Sequence, residues 1–198
     1  MHNRLESRPL DQLFRTARTP VDWIDRPVTD ADIHELYDLL KMGPTSANCC
    51  PARFVWVRSR EGKERLAECG ASSSNRRKIL AAPVTVIIGY DLDFSTSLPT
   101  LFPAKASFMS ALFKDAELAR ETAFRNSSLQ GAYLIVGARA LGLDCAPMSG
   151  FDNAAVDGAF FNATNVKSNF ICSLGYGSLE GLQPRNPRLK FEQANRFA

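Results

Sequence analysis

An α+β fold with few strands for its length is what the sequence predicts, on three observations. Only three stretches of the 198 residues read as strands, and they stand among longer helical patterns. The run VTVIIGY (84–90) is β-branched through its centre, as a strand covered on both faces is. The run GAYLIVGARAL (131–141) is apolar nearly all round, as a central buried helix is.

The elements follow in order. Thr29 and Asp32 form a capping box, with Asp where Glu or Gln is usual. Ile33, Leu36, Tyr37 and Leu40 then keep helical spacing until Gly43 and Pro44 stop the helix. RFVWVR (53–58) reads as a strand and 61–69 as a short charged helix. NRRKILAA (75–82) is a helix or turn that leads through Pro83 into the strand 84–90. Residues 91–113 look irregular and carry Phe94, Phe102, Phe108 and Phe113, which suits either a lid or pocket wall or a satellite apolar cluster. A long helix spans 115–141 and ends at Gly142. APMSGF (146–151) reads as a turn, 152–161 as a helix and NFICSLGY (169–176) as a strand, followed by an arginine-bearing tail. No repeat or linker divides the chain, so 1–198 is expected to be one domain. Its strand-poor first half and its buried helix need more cover than one protomer supplies, so a homodimer is expected.

Composition excludes several classes. Hydrophobic residues make up 45%, enough for a core. The net charge of +3 is spread along the chain rather than gathered into a basic face for nucleic acid. No apolar stretch approaches the roughly 18 residues of a membrane span. The first residues contain acids and no apolar run, unlike a signal peptide, so a cytoplasmic location is expected. Five irregularly spaced cysteines fit neither a disulfide framework nor a zinc site, and Cys49 and Cys50 read as small buried thiols in a turn. Only His2 and His34 are present, and His34 reads as a solvated helix residue, so a histidine-based triad is not expected. GYGSLEG (175–181) has the wrong spacing for a dinucleotide fingerprint, and no P-loop occurs.

Four stretches in register carry a resemblance. ARTPVDW (17–23) resembles an Arg-Ser-x-Arg segment, with Val21 where the second basic residue is usual. PTSANCCP (44–51) resembles Pro-Ser-Ser-x-Asn-x-Gln-Pro, with Cys50 for Gln and Ala52 for the usual Trp. NRRKILAAP (75–83) resembles an Asn-x-x-Lys segment, and GLDCAPMSGF (142–151) precedes LGYG and the tail. Together they resemble the FMN-dependent nitroreductase-like oxidoreductases. Within these, GPTSANC-x-PAR, ETAFRNSS, PMSGFD and the KSN…GYG stretch are most similar to malonic semialdehyde reductases of the uracil-degradation (Rut) pathway.

The resemblance implies a nitroreductase-like fold: a mostly antiparallel sheet flanked by helices in an intertwined homodimer. Its flavin sites are shared, and a tail (about 180–198) wraps the partner. It implies FMN, with NADH or NADPH as hydride donor. Arg18, Thr19, Arg185 and Arg188 would grip the phosphate end, where charge-assisted donors are each worth about 1.5–3 kcal/mol. Pro44, Thr45, Ser46 and Asn48 would cradle the neighbouring subunit's flavin. Asn75 and Lys78 would meet the pyrimidine edge, with Lys78 as a fixed cation where charge develops on reduction. Pro147, Met148, Ser149 and Gly150 would border the ring near N5, with Asn126 and Gln130 as weaker contacts. Arg53 would hold the acceptor's carboxylate. The implied activity is reduction of malonic semialdehyde to 3-hydroxypropanoate. The alternatives are a broad nitro-compound and quinone reductase and, with Val21 and Ala52 departing from the pattern, a non-catalytic flavin-binding protein.

Overall fold

In the computed structural model, residues 3–178, 180–182 and 184–198 are described. Four strands, β1 (Ala52–Val57), β2 (Val84–Asp91), β3 (Asp144–Met148) and β4 (Val166–Gly175), form an antiparallel sheet ordered β1-β2-β4-β3. The helices are α1 (Ser7–Leu10), α2 (Asp30–Leu40), α3 (Arg60–Glu68), α4 (Ser73–Ala81), α5 (Leu98–Leu101), α6 (Ala106–Leu112), α7 (Ala116–Ala140), α8 (Asn153–Phe160) and α9 (Phe191–Ala194). Among the described residues no helix is long and apolar enough to cross a membrane.

Strand β2 shows why its sequence is apolar on both faces. Successive side chains of a strand point to opposite sides. Val84, Val86 and Ile88 pack with Leu36 and Leu40 of α2 and Leu134 and Ala138 of α7. Ile87 turns the other way and packs with Leu66 of α3, Ile79 of α4 and Val156 of α8. The sheet is thus the middle of three layers. Two of its buried hydroxyls, Thr85 and Ser173, bond each other at 2.8 Å.

The expected capping box forms: Asp32 N donates to Thr29 Oγ1 at 3.2 Å and Thr29 N to Asp32 Oδ2 at 2.8 Å. Residues 75–81 resolve as helix, with Ser72 as the N-cap of α4 and Ala82 as its extended C-cap. Two expectations need correction. Part of the expected turn 146–151 is strand β3, a short border strand that contains Pro147 and no β-branched residue, so local pattern hides it. Segment 91–113 is not irregular: it winds into short helical turns around Phe94 and Phe113, whose rings meet edge to face at 4.8 Å. These two rings form the satellite cluster with Leu98, Ala119, Ala123 and Cys49, whereas Phe108 is 68% exposed.

The chain ends meet beside β4. Trp23 bridges Gly177, Ile24 N donates to Tyr176 O at 2.9 Å, and Ser178 N donates to Asp22 O at 2.9 Å. A Cβ on Gly175 would lie 2.6 Å from Pro83 Cδ, and one on Gly177 would lie 2.7 Å from Pro20 Cβ. The GYG glycines are therefore there for close backbone approach, not for a nucleotide.

Candidate functional site

The fold gathers the expected site residues into three groups. The first is at the joined chain ends. Arg18, Thr19, Arg185 and Arg188 line one cavity of about 420 Å³ with Phe14, Val21, Arg139 and Pro184. That volume falls within the roughly 300–1,000 Å³ of small-molecule sites. Arg185 Nη2 fastens the tail to the N-terminal segment by donating to Arg15 O (2.9 Å) and Ala17 O (2.6 Å). Arg188 Nη1 donates to the nearby carbonyls of Asn186 and Pro187. Residues 15–19, far from the tail in sequence, are thereby placed against it. Several guanidinium groups around one cavity suit a compact anion with several oxygens, such as a phosphate monoester. The donor set fits the phosphate of FMN. Arg139 is the lining residue that sequence reasoning missed; it closes an apolar helix, and no local pattern marks it.

The second group is on α4 and the loop after β3. Asn75 Nδ2 donates to Gly150 O at 3.1 Å. Lys78 follows Asn75 by three positions on the same helix, so the two share a face. Pro147 and Met148 belong to β3 and pair with Cys172 and Ile171, and Ser149 and Gly150 continue from it.

The third group is the loop 44–51. Ala47, Asn48 and Cys50 adopt left-handed backbone with φ of 51°, 50° and 39°. Each such non-glycine residue costs roughly 1–3 kcal/mol unless its surroundings hold it. Helix α7 supplies the hold: Tyr133 Oη donates to Pro44 O at 2.9 Å, and Asn126 Oδ1 accepts from Ser46 N at 2.8 Å. Gln130 Oε1 accepts from the buried Ala52 N at 2.9 Å. Asn48 Nδ2 donates to Leu101 O at 2.8 Å, and Thr45 Oγ1 accepts from Cys50 N at 3.2 Å. The carbonyl groups of Asn126 and Gln130 side chains are thus committed to backbone. The arginine cavity is lined by none of residues 44–48, 75–78 or 147–150.

Arg53 is placed differently from expectation. Its Nη2 pairs with Asp91 Oδ2 at 2.6 Å, and its Nη1 donates to the carbonyls of Cys50 (3.2 Å) and Ala52 (2.9 Å). It braces the entry to β1, beside a cavity that also carries Asp91 and Asp93. A substrate carboxylate there meets an already paired guanidinium and two acids.

The thiols are also sorted. Cys49 is fully buried, and that burial, with Cys50 beside it, pushes its pKa up to about 11. Cys50 is half-buried rather than packed away, because its left-handed backbone turns it toward Thr45 and Asn48. All five cysteines are free. A disulfide-exchange reagent at pH 8 should therefore label about one thiol per native chain and none in Cys50→Ser, since the thiolate is the reactive form. Rapid labelling of two or more thiols in the native protein would contradict this burial.

The Nitroreductase family model matches residues 24–177 of the chain. A protein of Caulobacter sp. (strain K31) named "Putative NADH dehydrogenase/NAD(P)H nitroreductase" is 58% identical over 98% of each chain. One of that name from Stenotrophomonas maltophilia (strain R551-3) is 57% identical over 100% of each. The fold matches a solved "putative nitroreductase in complex with FMN" from Exiguobacterium sibiricum 255-15 with a TM-score of 0.86, at 16% identity and 100% coverage of both chains. Sequence identity above half, carried over nearly the full length of both relatives, places the chain in the Nitroreductase family.

Proposed function

We propose that the chain is an FMN-dependent NAD(P)H oxidoreductase that reduces malonic semialdehyde to 3-hydroxypropanoate, working as a homodimer with shared flavin sites. The observation that carries the flavin reading is the cavity that brings Arg18, Thr19, Arg185 and Arg188 together from opposite ends of the chain. Family membership and the FMN held by the Exiguobacterium structure support it. The need for a second copy rests on the separation of the three groups, and on exposed apolar side chains such as Met42 (77%), Leu189 (70%) and Phe197 (91%).

In this reading bound FMN would supply the hydride-transfer chemistry between NAD(P)H and the acceptor. The protein's part is positional. Arg18, Arg185 and Arg188 hold the phosphate, with Thr19 beside them. Thr45, Ser46 and Asn48 of a second copy, with Pro44 shaping their turn, border the ribityl chain and ring. Asn75 orients the loop of Pro147, Met148, Ser149 and Gly150 through Gly150 O. Lys78 sets a positive charge against the ring edge that becomes electron-rich on reduction. Arg53 would meet the acceptor's carboxylate only by trading away Asp91, so the brace is the role its geometry supports.

Lys78→Ala should lower the two-electron flavin potential by about 20–40 mV, the equivalent of about 1–2 kcal/mol. Affinity for oxidised FMN should change less than about fivefold. An unchanged potential would remove Lys78 from this role.

The names of the relatives favour a second reading on the same site, a broad NAD(P)H nitro-compound and quinone reductase. Steady-state kcat/KM for malonic semialdehyde, nitroaromatics and quinones with NADH or NADPH separates the two. A clear preference for the semialdehyde supports the first. Flavin that stays oxidised under excess NAD(P)H without oxygen leaves only a non-catalytic flavin-binding protein. Sedimentation tests the dimer, and a flavin-loaded monomer would contradict shared sites.

A further inference from the structure

Arg139 stands in the last turn of α7, at the end of the apolar half of that helix. Its Nη1 donates to Leu13 O at 3.0 Å, and its own carbonyl accepts from Gln12 Nε2 at 2.7 Å. Together these contacts tie the end of the helix to the N-terminal segment. They leave one buried nitrogen unsatisfied: Arg139 Nε has no hydrogen-bond partner among the described residues. A buried guanidinium N–H without an acceptor is costly, and such groups in folded proteins call for an explanation.

The surroundings of Arg139 supply one. The residue lines the cavity that also holds Arg18, Arg185 and Arg188. It also lines a second, adjoining cavity of about 330 Å³ with Arg8, Asp11 and Asp144, so its side chain forms part of the wall between the two. One side of that wall mixes Arg8 with Asp11 and Asp144, and the other gathers Arg18, Arg185 and Arg188 without an acid. An anion on the arginine side would meet a guanidinium whose Nε is committed to no other partner among the described residues.

We propose that Arg139 is a phosphate-recognising residue of the arginine cavity, and that it helps this site prefer a phosphorylated flavin over riboflavin. This deepens the reading of that cavity as the phosphate end of an FMN site and rests on it. The position is well suited to the task. A cation at a helix C-terminus is favoured by the helix dipole, so the charge is stably held when no anion is bound. The planar guanidinium can keep its bond to Leu13 O while another edge faces the cavity.

The test compares flavin-stripped wild-type protein with Arg139→Gln by titration with FMN and with riboflavin. Loss of one charge-assisted contact to phosphate should weaken FMN about tenfold and leave riboflavin unchanged. Inorganic phosphate should compete with FMN less effectively in the variant. Equal weakening of FMN and riboflavin would show that Arg139 only straps residues 12–13 to the helix, and an unchanged FMN to riboflavin ratio would likewise overturn the proposal. If the glutamine variant does not fold, Arg139→Lys reads the same ratio. It keeps the charge but loses the planar fork, so a fall of about threefold is expected and no fall overturns the role. Wild-type protein that binds FMN no better than riboflavin would overturn the phosphate reading of the whole cavity, and wild-type protein that binds neither would overturn the flavin reading itself. Both outcomes are distinct from any result confined to the Arg139 variants.

Discussion

Replacing Arg185 and Arg188 together with alanine should weaken FMN binding by about 100-fold or more, measured by fluorescence titration of flavin-stripped protein. Each charge-assisted contact to phosphate is worth about 1.5–3 kcal/mol, and about 1.4 kcal/mol is a factor of ten. The two arginines line the same cavity as Arg18, so removing both leaves a phosphate with fewer partners in the same concave space. The double variant also unfastens the tail, because Arg185 Nη2 bonds the carbonyls of Arg15 and Ala17. Salt separates the two contributions. If the arginines act through charge, the wild-type affinity for FMN falls as ionic strength rises, and the variant's dependence is flatter. An unchanged FMN affinity would remove the tail from the site.

Gln130→Leu should cost about 1–3 kcal/mol of stability, because it strands the buried N–H of Ala52 at the start of β1. Adding Asn126→Leu removes the acceptor of Ser46 N and should cost about 0.5–1.5 kcal/mol more. The two side chains hold one loop, so their effects should not be simply additive. Urea denaturation should show a lower midpoint at an unchanged slope, the mark of lost stability rather than a changed denatured state. The left-handed residues Ala47, Asn48 and Cys50 lie between the two anchors, so proteolysis should cut first within 44–51. A double variant as stable and as resistant as wild type would show that the loop holds its shape without α7.

These anchors also show how far the sequence could be read. Helix α2 was legible because its capping box and apolar spacing are local, and β2 because a β-branched run suits burial on both faces. The arginines at positions 18, 185 and 188 were expected to act together through resemblance alone, and the fold does place them around one cavity. Strand β3 was hidden by Pro147 and by the absence of β-branched residues. Gln130 and Asn126 look like polar residues on a helix until the loop 78 and 80 positions away is seen against them. Arg53 carried no sign that Asp91, at the end of the paired strand β2, would claim its guanidinium. What eluded the sequence in each case was a long-range partner.

The pairing of residues 22–24 with 176–178, and of Arg185 with residues 15 and 17, has a practical consequence. Residues 15–24 and 176–188 thus come together next to the cluster of guanidinium groups. Acidic residues introduced next to Arg18 or Arg185 would crowd that entrance and compete for its positive charge.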